Sequence, residues 1–144
     1  MASAEKLYTP ELLALTLRLA DYPWREDFSH TGEARSKSCG STLAMGLDLD
    51  GDGNIARIGL KARACAVGQA SIAIFADAAG GHDRAAIASA RDAMIAWLAG
   101  SGPLPDWPGI AALEPAQSYP ARHGAIMLPW EAALAALSQV PATG

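Results

Sequence analysis

Two cysteines carry the thiol chemistry open to this chain, Cys39 and Cys65. Cys65 falls within Ala62–Phe75, ARACAVGQASIAIF, where a strand hands over to a helix. Ile58, Leu60, Ala62 and Ala64 alternate with more polar or smaller neighbours, the period of a half-buried strand. The run AVGQASIAIFADAA is then apolar nearly all round and ends in Gly80-Gly81, which reads as a helix buried on most sides. Cys65 therefore stands at or just before a helix N-terminus, where unpaired N–H groups and the helix dipole favour a thiolate. Taken alone, such a cysteine suits equally well a small hydrophobe of the core. Cys39, in Ser38-Cys39-Gly40-Ser41 ahead of the next strand, adds a second thiol. Two thiols in a reducing compartment point to metal ligation or a redox pair before a structural disulfide.

The elements that must position these thiols fit a single domain spanning residues 1–144, with 51% hydrophobic residues to form its core. A net charge of −4, with Lys and Arg scattered, argues against nucleic acid or an anionic membrane as partner. The N-terminal MASAEKLYTPELL lacks the basic-then-apolar run of a signal peptide, and no apolar stretch reaches ~18 residues. A soluble, cytoplasmic protein is the expectation.

Thr9-Pro10-Glu11 opens a helix with a capping hydroxyl, a proline at its first position and an acid in its first turn. Leu12, Leu13, Leu15, Leu17 and Leu19 give that helix a broad apolar face. Trp24–Gly32, which includes His30, reads as a polar, irregular loop, and Glu33–Ser38 as a short edge strand. Leu43, Met45, Leu47 and Leu49 alternate clearly, Asp50–Asn54 makes a turn, and Ile55–Ala64 returns as the next strand. Asp48, Asp50 and Asp52 have the spacing of a calcium loop. Gly59, however, stands where its closing Glu belongs and strands flank it, so an acidic hairpin turn is expected.

Asp83 caps a further helix with Ile87, Ala90, Met94, Trp97 and Leu98 on one stripe, and His82 beside it reads as a cap or surface residue. A breaker-rich loop, GSGPLPDWP, leads to a short helical piece ending near Leu113. The last helix has Ile126, Leu128, Trp130, Ala133, Leu134 and Leu137 as core candidates. It begins near Arg122, which puts Pro129 inside it and kinks it, or near Met127, which puts Pro129 in its first turn. The order predicts an α+β fold: a small antiparallel β-meander of about three strands packed against several helices.

Cys39-Gly40 after a short strand, an acidic hairpin, and Ala64-Cys65-Ala66 leading into Gln69-Ala70-Ser71 resemble the U-type iron–sulfur cluster assembly scaffolds, the IscU, NifU N-terminal and SufU proteins. Tyr119-Pro120-Ala121-Arg122 and Leu128-Pro129-Trp130-Glu131 resemble that family's last motif, and the likeness runs over about Tyr8 to Leu137. The long helical segment after Cys65 is similar to the SufU-like branch. The resemblance implies a site of three cysteines and an aspartate. Ser41 stands at the aspartate position and Ala125, not a ligand, at the third cysteine position, so Cys39 and Cys65 remain.

Ser41 is a poor ligand when neutral and is expected to hydrogen-bond the Cys39 loop. His123, two residues before the vacant cysteine position, is a further candidate donor. Thiolates suit zinc, iron or an iron–sulfur cluster. The resemblance further implies sulfur acceptance at Cys39 or Cys65 and a cysteine desulfurase or an iron–sulfur acceptor protein as partner. The alternative is a module that kept the fold, binds no metal and contacts the desulfurase or another assembly protein. With no phosphate loop, Ser–His–Asp arrangement or His-x-x-x-His pair in the sequence, no independent enzyme is expected.

Overall fold

The computed structural model describes residues 7–37 and 40–138. Ser38 and Cys39 lie outside the described residues. Helix α1, Pro10–Thr16, starts where expected: the Thr9 hydroxyl accepts a hydrogen bond from the Leu12 N–H at 3.0 Å, and proline occupies the first position. It tightens into a 3₁₀ turn over Leu17–Asp21. Its apolar face is narrower than the leucine run suggests. Leu12 is fully buried and Leu15 and Leu19 pack on the core, but Leu13 and Leu17 are 46% and 77% exposed.

Strands β1 (His30–Arg35), β2 (Thr42–Leu49) and β3 (Ile55–Arg63) form one antiparallel sheet in that order. The meander is as predicted, with β1 at an edge, but β1 begins three residues earlier than Glu33 and ends at Arg35. His30 therefore opens a strand and does not lie in a loop. The strand stops at Arg35 because the Ser36 N–H bonds the Ser41 carbonyl at 2.8 Å, closing a loop. Register pairs Leu43 with Ala62, Met45 with Leu60 and Leu47 with Ile58, an apolar face toward the helices. A bulge at Asp48/Leu49 brings Ile55 opposite Leu49.

The other sheet face is also partly covered, which the polar reading of Trp24–Gly32 missed. Gly46 and Gly59 pair across β2 and β3, and a Cβ on either would meet the Phe28 ring at 2.3 Å. Phe28 lies flat on this two-glycine floor, with the Arg57 guanidinium 4.5 Å from its ring centre. The hairpin acids serve locally: Asp50 accepts from the Asp52 and Asn54 N–H groups, while Asp48 accepts from Ser29 and Arg57.

Three further α-helices complete the fold of the described residues. Helix α2 is Ala66–Ala79, α3 is Arg84–Leu98, capped by the Asp83 side chain, and α4 is His123–Leu137. The predicted stripe on α3 is buried at Ile87, Met94, Trp97 and Leu98. The piece expected to end near Leu113 continues as a 3₁₀ segment, Ile110–Ser118, and a turn at Pro120–Arg122 precedes α4. Of the two starts open for the last helix, the fold takes the earlier. Pro129 is thus inside α4, where it can donate no N–H to the Ala125 carbonyl. Helix α4 packs on β1 and β2, and α2 packs between α4 and α1. Phe75, Trp107 and Trp130 meet where α2, the loop before the 3₁₀ segment and α4 converge. No helix among the described residues is long and apolar enough to cross a membrane.

Asp77 joins α1's 3₁₀ turn to α2 by accepting two hydrogen bonds from Arg18 and one from the Tyr22 hydroxyl. Burial alone would raise the Asp77 carboxyl, but these bonds outweigh it and hold it below the ordinary 3.8. Burial, and then the bond to Asp77, push the Tyr22 phenol up to about 12. Stability from Asp77 is therefore present above its unfolded pKa and is lost as pH falls through its lower folded value. That from Tyr22 is present below pH 10 and is lost as pH rises toward about 12. Denaturant midpoints across pH should fall at both ends. In Asp77→Asn the acid fall should be shallower, and an unchanged acid profile would refute the link.

Candidate metal and sulfur site

Ala64 and Cys65 link β3 to α2, as the strand-to-helix reading required. The Cys65 backbone is extended (φ −64°, ψ 168°), it occupies the N-cap position, and its side chain makes no capping bond. The residue is half-buried and its thiol is free. What holds it is the backbone on either side. The Cys65 N–H donates to the Ser41 hydroxyl at 3.4 Å, and the Cys65 carbonyl accepts from the Gln69 N–H at 2.9 Å. The Gln69 side chain donates to the Ala64 carbonyl at 2.8 Å, fixing the last turn of chain before the cysteine.

The Cys39 loop is anchored on both sides. Besides the Ser36–Ser41 bond, the Gly40 N–H donates to the Ser36 carbonyl at 3.0 Å, and Gly40 takes the left-handed conformation (φ +71°) that glycine adopts without strain. Ser36 and Ser41 are buried, at 1% and 4% exposure. Besides its bond within the loop, Ser41 thus also reaches Cys65.

Helix α4 closes the third side. A Cβ on Gly124 would stand 2.7 Å from the Ser36 hydroxyl oxygen, so the α4 start presses on Ser36, just past the end of β1. A Cβ on Gly68 would stand 3.2 Å from the Ala125 Cβ, so position 125 faces the first turn of α2, one turn from Cys65. Ala125 is fully buried. Deeper in, the Ser71 hydroxyl donates to the Ile126 carbonyl at 2.6 Å and locks α2 to α4. Ser71 was visible only as part of a motif, and its role depends on a partner 55 residues away.

His123 is half-buried at the first position of α4, and its Nε2 lies 2.8 Å from the Gln117 carbonyl. A carbonyl only accepts, so Nε2 is the donor in this contact. His82 lies away from this site, its ring tilted against Trp107 at 4.8 Å between centres and its Nδ1 near the Ala79 carbonyl. Among the described residues no three His, Cys, Asp or Glu side chains converge. The donors shown together here are the Cys65 thiol and the Ser41 hydroxyl, short of the four that a closed zinc or cluster shell takes.

No protein-family model matches the sequence, and no curated protein matches it. Solved structures do. A nitrogen-fixing NifU-like protein (N-terminal) from Brucella abortus superposes with a TM-score of 0.83 at 28% identity, covering 92% of each chain. A putative iron–sulfur cluster assembly scaffold protein for the SUF system from Fervidobacterium islandicum gives a TM-score of 0.84 at 20% identity, over 95% of this chain and all of that one. The three-stranded meander with α4 and α2 on its inner face is thus the fold of the U-type, NifU- and SufU-like scaffolds.

Proposed function

We propose that this chain is a scaffold-like protein of iron–sulfur cluster assembly that holds iron, zinc or a labile cluster as cargo on Cys65 and Cys39. The observation that carries the reading is the Cys65 N–H bonded to the Ser41 hydroxyl. Cys39 is two residues before Ser41, so chain connectivity alone keeps its Cα within about 7 Å of Ser41's. The reading takes the two thiols, 26 positions apart in sequence, to share the end of the sheet where Ser41 meets Cys65. The fold likeness over nine-tenths of the chain supports the same reading.

Sulfur would arrive from a cysteine desulfurase, with a site thiolate attacking the terminal sulfur of the donor's persulfide. A new S–S bond forms, and the donor cysteine leaves as thiolate. Ser41 orients Cys65 through its backbone, and Gln69 and Ser71 keep the α2 start in place. The protein acts as carrier and acceptor, with no catalytic group of its own.

Anaerobic incubation with ferrous iron and sulfide, followed by desalting, metal analysis and visible absorbance, tests this. The wild type is expected to retain iron with thiolate-to-metal absorbance, and Cys65→Ala and Cys39→Ala to lose it at least tenfold. No metal on the wild type, under conditions that load a complete scaffold, overturns the reading. The buried Ala125 methyl favours one second reading, a module that binds the desulfurase without metal. Desulfurase capture that survives both cysteine substitutions, together with absent metal, would select it.

A further inference from the structure

The sheet face turned away from the helices carries a trough with charged walls. Glu33 and Arg35 of β1 form one wall, and Lys61 and Arg63 of β3 the other. The floor between them is Thr42 and Ala44 of the central strand, whose short side chains leave a hollow of about 360 Å³. Register sets the order of the charges. Arg35, Thr42 and Arg63 are cross-strand partners on one rung, and Glu33, Ala44 and Lys61 on the next. A second hollow of about 280 Å³ shares Glu33, Ala44 and Lys61 with the first and adds Trp24, Thr31 and Gly32. The two make one trough along β2, closed at its far end by Trp24, whose ring centre lies 6.0 Å from that of Phe28.

The three cations are not equivalent. Lys61 holds its ammonium 5.1 Å from the Trp24 ring centre and shares its rung with Glu33. Arg35 and Arg63 are exposed, form no salt bridge among the described residues, and share their rung with a neutral threonine. Two strand spacings set their Cα atoms about 10 Å apart, so both guanidinium groups can reach one carboxylate between them. On a chain whose net charge is −4, this rung is a local positive excess with an open floor.

The dimensions suit an extended chain. From Thr42 to Gly46 the floor runs about 13 Å, the length of about five extended residues, with alternate side chains meeting successive rungs. An acid on the first rung receives forked hydrogen bonds from Arg35 and Arg63. On the second rung Glu33 repels a further acid, so a neutral residue belongs there, and an apolar one belongs on Trp24. A polyanion charged at every unit would meet Glu33 at its second step and gain less. We infer that this outward face docks an extended segment of a partner protein, with one carboxylate between Arg35 and Arg63 and an apolar side chain on Trp24. So small a footprint makes a weak, transient contact. Neither Cys65 nor any metal enters it, so it stands or falls separately from the cargo reading.

Backbone amide shifts of the full chain, titrated with the end-blocked peptide Asp-Thr-Ser-Thr-Leu, test this. Either chain direction satisfies the rungs, so the reversed sequence is titrated as well. At least one of the two is expected to give saturable shifts centred on Thr42, Ala44 and Lys61, weakened by added salt. Replacing its Asp by Asn, or the protein's Arg35→Ala/Arg63→Ala, should weaken binding at least tenfold, while Glu33→Gln should tighten it at least twofold. Both arginines are exposed, so the double variant should keep the wild-type denaturant midpoint, which separates lost binding from lost fold. Equal binding of the Asn peptide, undiminished binding by the double variant, or shifts centred elsewhere overturns the inference. So does the absence of saturable shifts with both peptides, or tighter binding of tripolyphosphate on the same residues.

Discussion

Gly32→Ala is expected to destabilise the protein by about 3 kcal/mol, seen as a lowered denaturant midpoint at unchanged slope. The added methyl would stand 2.3 Å from the Ala136 backbone nitrogen and 2.4 Å from the Ala132 carbonyl oxygen. Both belong to the α4 backbone, which has no rotamer to move out of the way. Strand β1 and α4 would have to part along the contact that seats the helix on the sheet. The α4 start also carries Gly124 against Ser36 and Ala125 against α2, so iron retention should fall along with stability. Glu33→Ala, on the exposed side of the same strand, serves as the control and should leave the midpoint nearly unchanged. A Gly32→Ala protein as stable as wild type would show that β1 does not lie this close to α4.

Trp130→Ala should cost about 3–5 kcal/mol, the range for emptying a large aromatic site in a core. Trp130 is fully buried and meets Phe75 and Trp107 edge to face, at 5.4 and 5.5 Å between ring centres. Its ring nitrogen, unlike that of Trp107, which donates to the Ile74 carbonyl, has no hydrogen-bond partner among the described residues. An unpaired buried N–H is itself unfavourable by about 1–3 kcal/mol. Trp130→Phe removes it while keeping part of the ring contact, so its loss should be less than half that of alanine. Thermal or denaturant unfolding of the two variants separates the contributions. Equal losses would mean that the indole nitrogen finds a partner in solution.

The two predictions concern the same structural fact. The iron–sulfur reading depends on three segments meeting at the end of a small sheet, and α4 is the element that brings the third. Its seat against Gly32 and its aromatic anchor at Trp130 hold its first turn against Ser36 and the first turn of α2.

Much of this architecture is legible from short stretches of chain. Thr9-Pro10 starts α1, the leucines and Met45 of β2 alternate, Asp83 caps α3, and Cys65 falls at the strand-to-helix junction, because periodicity and capping are properties of neighbouring residues. The order of these elements already implies helices on one face of an antiparallel meander. Where the sequence reading departed from the fold, a distant contact had decided the matter. Strand β1 reaches back to His30 because its glycine accommodates α4. The Trp24–Gly32 segment is not simply solvated, because Phe28 finds two paired glycines from other strands.

The site divides in the same way. The sequence by itself determined which donors exist, two cysteines with a serine and an alanine at the other expected positions, since composition is not altered by folding. Only the tertiary structure decided how they are used: Ser41 bonds the Cys65 backbone, His123 gives one nitrogen to Gln117, and Ala125 is sealed against Gly68. It also decided that Arg35 and Arg63, 28 positions apart, stand on one rung of the sheet. The physical reason is that cross-strand register and helix seating couple residues far apart in the chain, and no local pattern carries that information.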